Sequence, residues 1–318
     1  MKSKRKMGSL RGKVFIVIGV DQGFGRDLAL FVAKQGAKVI VNPCASNGAA
    51  SPLANDIAFE IAELGAEAAV VAESVCTSVG AGRVVEAALD SFGRVDVLVN
   101  NASLLVDQTC ADVQEDEKGP EVDSPQFCFD HVVRAIAPLF KARQAGAFVH
   151  SVAPSGVSSR RTNYSAAKER AVRLSRTIAR EMAAHGVRSN CVLLSRPARP
   201  WGPRESNIVS FSRPTDLKRL ARLAGFLASE AAESITAQVF EVCGPKISVL
   251  GTPGQPISDR GSAESRDPKG RDRPSFLDAN FTTTESYFEA VAAWFNEISR
   301  SWPAARSAMS SAQSPEFG

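Results

Sequence analysis

Histidine occurs only three times in the 318 residues, at His131, His150 and His185. None stands at a metal-ligand spacing, so each reads as structural rather than as a ligand. The six cysteines, at 44, 76, 110, 128, 191 and 243, make no Cys-x-x-Cys pair and match no zinc pattern. Several lie in apolar runs, where a free thiol behaves as a small hydrophobe. The reading is therefore a reducing, intracellular, cytoplasmic compartment. No uncharged apolar run approaches the ~20 residues that a membrane-spanning helix needs. The start, Met1 to Lys13, lacks the apolar core of a secretory signal. A hydrophobic fraction of 44% with 23% charged residues argues against wholesale disorder.

Excess positive charge is confined to one end. The formal net charge is +4, and Lys2, Lys4, Arg5, Lys6, Arg11 and Lys13 stand there without an acid. Setting those six apart leaves 32 basic against 34 acidic residues, so the body is no nucleic-acid surface. Residues 1–10 read as a short solvated arm.

Short apolar runs alternate with helix-length amphipathic stretches. Val14–Ile18, Val39–Val41, Ala68–Ala72, Val95–Val99, Phe148–Val152, Val192–Leu194 and Val239–Val242 form the series of runs. In Asp27–Lys34, Leu28, Phe31 and Val32 share a helical face. This rhythm predicts an α/β fold with a doubly wound parallel sheet, one dinucleotide-binding domain over residues 11–250. Asp112–Gln126 is acidic with Gly119, Pro120 and Pro125, and reads as a surface loop. Residues 251–275 read as a linker, 276–303 as an added amphipathic helix and 304–318 as a disordered tail. Thr282 and Glu285 make a capping box, and Tyr287, Phe288, Val291, Trp294, Phe295 and Ile298 form one apolar stripe. Packing on its own domain is the default for that stripe.

Three motifs carry chemistry. Gly19, Gly23 and Gly25 lie between a strand and a helix, where glycines let backbone approach a pyrophosphate and helix N–H groups favour an anion. With Phe24, they are candidate cofactor contacts. Asn100-Asn101-Ala102-Ser103 follows the strand ending at Val99, and polar groups at the carboxyl end of a strand are where open α/β sheets bind ligands. Asn101 and Ala102 join the cofactor set. Tyr164 and Lys168 stand at i and i+4, on one helical face. An ammonium near a phenol lowers its pKa from ~10, so the pair can pass a proton to a carbonyl oxygen while hydride moves to carbon.

In that order, these motifs resemble a short-chain dehydrogenase/reductase over about residues 10–245. The chain is most similar to the hydroxyacyl-CoA dehydrogenase domains of peroxisomal multifunctional enzymes. Gly36 to Asn42, Ala88 to Asp96, Asn163 to Lys168 and Val239 to Val242 carry that likeness. The resemblance implies a nucleotide-bound, oligomeric Rossmann enzyme that interconverts a ketone and an alcohol of a small-molecule substrate. It makes Tyr164 the acid–base residue, Lys168 its electrostatic partner and holder of the nicotinamide ribose, and a serine the group that orients the substrate oxygen.

The chain departs from the family at several positions. Ile18 stands where the family has Thr, and Pro43 replaces the Asp that binds the adenosine ribose. No carboxylate then repels a 2′-phosphate, while Ser46 and Asn47 can hydrogen-bond either form; the lean is to NADP, with NAD possible. Cys76 stands for an adenine-contacting Asp, unless an offset brings Glu73 to that position. Arg134 aligns with the relay Asn, and an arginine has donors but no acceptor. The serine is Ser151 by counting back from Tyr164, whereas strand alignment gives Ala153, and Ser155 shares the same parity. Leu194-Ser195 replaces a Pro-Gly, and Arg196 and Arg199 follow, able to grip an anion; Arg134 and Arg196 are the candidate substrate contacts. The expected function is an NAD(P)-dependent oxidoreductase. The alternatives are the same fold used for isomerisation, cyclisation or dehydration, or as a non-catalytic nucleotide-binding subunit.

Overall fold

The computed structural model describes residues 10–20, 23–43, 52–101, 128–152, 162–195, 214–250, 275–277 and 284–301. The strands β1 (Val14–Ile18), β2 (Lys38–Asn42), β3 (Ala68–Val70), β4 (Val97–Asn100), β5 (Gly146–Ser151), β6 (Val187–Ser195) and β7 (Val239–Cys243) alternate with helices. The helices are α1 (Phe24–Lys34), α2 (Pro52–Glu63), α3 (Ser78–Phe92), α4 (Cys128–Arg143), α5 (Thr162–Glu181) and α6 (Pro214–Ala228). The sheet order is β3-β2-β1-β4-β5-β6-β7, all parallel, as the doubly wound expectation required. The order reverses between β1 and β4, which places the ligand crevice above their carboxyl ends.

Strand alternation feeds two apolar layers. Val17, Val41, Val99 and Val149 face α1, α2 and α6, while Ile16, Leu98 and Phe148 face α3, α4 and α5. Burial on both faces explains why the runs are apolar throughout rather than alternating. Local chemistry sets the helix ends. Thr77 caps α3 by accepting from Gly80 N–H at 3.0 Å, and Gly93 ends it in the left-handed region at φ 71°. At the amino ends of the strands, buried Asp96 accepts from Val14 N–H at 2.9 Å, from Arg94 and from Arg143. Burial alone would raise its pKa, but these donors hold it below the ordinary carboxylate range.

The chain beyond β7 adds to this domain. The strand β8 (Lys246–Val249) pairs antiparallel with β7, and β9 (Ser275–Leu277) with β8, giving a nine-stranded sheet. The final helix, α7 (Thr284–Ser301), starts later than the expected 276 because Ser275–Leu277 is taken up by sheet pairing. Tyr287, Phe288, Val291 and Phe295 are wholly buried. Phe288 meets Phe226 of α6 edge-on at 5.5 Å, Phe295 meets Phe240 of β7 at 6.0 Å, and the Arg222 guanidinium lies 4.1 Å from the Tyr287 ring centre. Each such aromatic is worth ~1.5–3 kcal/mol of burial. The stripe therefore packs on its own domain. Leu10, the last residue of the expected solvated arm, is instead buried in the core; residues 1–9, Thr282 of the expected capping box, the loop at 112–126, the linker to 274 and the tail lie outside the described residues.

The cysteines depart from the expectation of free thiols. Cys76, between β3 and α3, and Cys128, the first residue of α4, are disulfide-bonded. A separation of 52 residues conceals the pair in the sequence, because only the packing of α3 beside α4 brings the two together. Cys191 remains a buried free thiol, pushed up to about 12 by burial.

Candidate active site

The glycine turn opens from the carboxyl end of β1. Gly19 and Gly23 have φ of 73° and 65°, values that L side chains rarely adopt. Among the described residues no side chain caps α1, whose first-turn N–H groups face a turn where an anion is favoured. A Cβ on Gly25 would lie 2.1 Å from Gly19 O and 2.9 Å from Asn101 Nδ2. Only glycine fits there. Asn101 Nδ2 donates to Gly19 O at 2.8 Å, so the residue after β4 fastens the turn after β1. Phe24 is buried beneath the turn as part of the α1 layer.

Asn42, at the end of β2, is a second fastening that the sequence reading passed over in favour of Pro43. Its carbonyl accepts from Gly19 N–H at 2.9 Å, and its side chain donates to Val71 O at 2.6 Å and Glu73 O at 2.9 Å. Its Oδ1 is buried without a hydrogen bond among the described residues. A polar residue closing an otherwise apolar strand was the available signal.

A polar cluster lies between the sheet and α4–α5. His150 of β5 and Asn100 of β4 are register partners. His150 Nε2 lies 3.2 Å from Ser189 Oγ, which lies 2.9 Å from Ser175 Oγ of α5. Burial lowers the His150 pKa to about 4, so the ring is neutral near neutrality. The Phe148 ring runs parallel to His150 and Phe129 meets it edge-on. His150 thus serves packing, in keeping with the structural reading of the histidines.

Tyr164 and Lys168 fall in the first two turns of α5, whose backbone is helical through both, so their one-turn spacing holds. Ser151 ends β5, paired with Val192. Strand alternation sets it with Ala147 and Val149 toward the α1–α6 layer, while His150 and Val152 face α5. Arg134 is exposed on α4, outside the buried stripe of Phe129, Val132, Val133 and Ile136. Ala102, Ala153, Ser155 and Arg196 lie outside the described residues. Among the described residues no cluster could hold a metal ion, and no helix is long and apolar enough to cross a membrane.

The glycine turn, its Asn101 lock and the helix carrying Tyr164 and Lys168 all fall within residues 13–196, which match the short chain dehydrogenase family model. The chain belongs to the short-chain dehydrogenase family. It is 32% identical over 200 residues to the peroxisomal multifunctional enzyme type 2 of Drosophila melanogaster, covering 60% of this chain but 33% of that protein. It is 28% identical over 253 residues to the 3-oxoacyl-[acyl-carrier-protein] reductase of Synechocystis, covering 75% of this chain and 98% of that one. The crystal structure of a short chain dehydrogenase from Mycobacterium avium superposes with a TM-score of 0.65 at 27% identity, covering 86% of this chain and all of that one. At the level of the family, this is a carbonyl–alcohol oxidoreductase with a nicotinamide cofactor.

Proposed function

We propose that this chain is an NAD(P)-dependent oxidoreductase interconverting a carbonyl and an alcohol on a small-molecule substrate, with NADP preferred and NAD tolerated. The observation that supports it is the closure of Gly19, Gly25 and Asn101 on one another at the start of α1. That is a cradle a side chain would fill, at a helix start whose N–H groups favour an anion. Gly19, Gly23, Phe24, Gly25, Asn101 and Ala102 would hold the nucleotide. Pro43 in place of a ribose-binding carboxylate supports the preference for the 2′-phosphate form.

When bound, the nicotinamide supplies or accepts the hydride. The chain's own residues then handle the proton. Tyr164 gives its hydroxyl proton to the substrate oxygen in reduction and takes it back in oxidation. Lys168, one turn on, lowers the phenol pKa and holds the nicotinamide ribose. Ser151 is proposed to orient the substrate oxygen. Its parity with Ala147 and Val149 makes that role depend on a bend at the end of β5. Arg134 and Arg196 would meet an anionic group on the substrate, Arg134 from the solvent side. The enzyme is proposed to be cytoplasmic and homo-oligomeric.

The test is a titration with NADH and NADPH followed by nicotinamide fluorescence, then turnover of a 3-oxoacyl thioester. Saturable binding with tighter NADPH supports the reading, and no binding of either at millimolar concentration rejects it. Nucleotide binding without turnover on any carbonyl would favour non-redox use of the fold.

A further inference from the structure

The disulfide and the glycine turn are joined through one residue. Asn42 O accepts from Gly19 N–H at 2.9 Å and from Val20 N–H at 3.4 Å, while Asn42 Nδ2 donates to Val71 O and Glu73 O. The segment from Val71 to Thr77 then closes on itself. Cys76 N–H donates to Ser74 Oγ at 3.3 Å and Thr77 Oγ1 to Ser74 O at 3.5 Å. Gly80 presses on this loop so closely that a Cβ there would lie 2.0 Å from Ser74 O. The loop has little freedom of its own, and it ends at the sulfur bonded to Cys128. A single chain of contacts therefore runs from α4, through Cys76–Cys128 and the β3–α3 loop, to Asn42 and the turn.

The bond is not needed to hold α4 in place. Phe129, Val132, Val133, Ile136 and Phe140 already bury that helix against the sheet. Its two sulfurs also differ in access. Cys128 is wholly buried, whereas Cys76 is half-buried at the edge of the core. In a reducing compartment such a bond is transient and sensing rather than structural.

We propose that Cys76–Cys128 is a thiol–disulfide switch that sets nucleotide affinity at the glycine turn; this rests on the proposed nucleotide site. A dithiol supplies the two electrons. Its thiolate attacks Cys76 Sγ, the S–S bond breaks, and Cys128 leaves as a thiolate and takes up a proton. The second thiol of the reagent then releases Cys76 as a thiol, and the reagent departs as its own disulfide. The reverse runs by exchange with a small-molecule disulfide. Oxidised, the loop is pinned to α4 and holds Asn42, hence the turn, in register. Reduced, the pin to α4 is gone and the loop, still closed on itself, shifts as a unit with Asn42 until the nucleotide fixes both, so binding weakens.

The experiment uses the full chain, treated with oxidised glutathione or with dithiothreitol, beside Cys128→Ser. Alkylation with peptide mass spectrometry reports the bond, hydrogen exchange over residues 71–80 reports the loop, and fluorescence titration reports NADPH. The expected result is faster exchange at 71–80 and about 5- to 30-fold weaker NADPH binding after reduction. Cys128→Ser should behave as the reduced form under both treatments. Equal exchange and equal affinity in the two states, or free alkylatable thiols at 76 and 128 after oxidation, would overturn the switch. Failure of every form to bind NADPH would overturn the nucleotide reading instead, and the exchange difference alone would then decide the pin.

Discussion

Asn101 Nδ2 donates to Gly19 O across 2.8 Å, joining residues 82 apart in the chain. The same carbonyl stands 2.1 Å from the place a Cβ would take on Gly25. Gly25→Val must therefore push the turn away from Asn101. Overpacking of this kind costs about 1–3 kcal/mol, and here the strain falls on the nucleotide cradle. NADPH binding should weaken at least about tenfold to a hundredfold while circular dichroism stays near native. Wild-type affinity in Gly25→Val would remove the turn from the site.

How much of this was legible depended on whether a feature is local. The apolar runs and the stripe from Tyr287 to Phe295 are patterns within one element, and they gave the parallel sheet and the last helix. The strand at Ser275–Leu277 was missed because three residues that pair only with β8 carry no periodicity. Cys76 with Cys128, and Asn42 with Val71 and Glu73, are meetings of different loops, fixed by sheet order rather than by neighbours in sequence. For Ser151, parity along the strand was readable, but the face it selects was not. That needed Ala147 and Val149 seen against the α1–α6 layer.

The C-terminal helix should be an integral part of the core. Phe288 is wholly buried against Phe226, so Phe288→Ala removes a large apolar side chain from a packed site. Such changes cost about 3–5 kcal/mol. Thermal or urea unfolding should show a large drop in midpoint with one cooperative transition. A midpoint within error of wild type would mean that α7 does not pack there in solution.

Stability should fall in acid in two stages. Unfolded, His150 takes up a proton as pH drops through ~6.5, but folded it resists until about 4. Between those values the unfolded state binds more protons, so stability declines as pH falls, by about 2–4 kcal/mol in all. Asp96 acts lower. Its folded pKa is depressed, so its contribution is present above ~3.9 and is lost as pH falls through the folded value. His150→Asn keeps a polar group toward Ser189 and removes the first stage. Urea midpoints at pH 4.5 and 7 should converge in that variant, and an undiminished difference would assign the acid sensitivity elsewhere.

Tyr164→Phe keeps the ring and removes the proton path. On α5, Tyr164 and Lys168 lie one turn apart on a continuous helix, so a change at one leaves the backbone of the other in place. Cofactor should bind Tyr164→Phe at near wild-type affinity while turnover falls ~10²–10⁴-fold or more. Lys168→Ala should lose both, since the ammonium is assigned to the phenol and to the ribose. Ser151→Ala separates the two assignments of the oxygen-orienting group. A loss of turnover comparable to Tyr164→Phe would show that the end of β5 bends to bring Ser151 toward α5. Unchanged turnover would leave Ser151 where strand alternation puts it, facing the α1–α6 layer, and pass the role to Ser155. Full activity in Tyr164→Phe would be the decisive negative, because no other residue is assigned the proton. The family's fold would then be in use for chemistry other than hydride transfer.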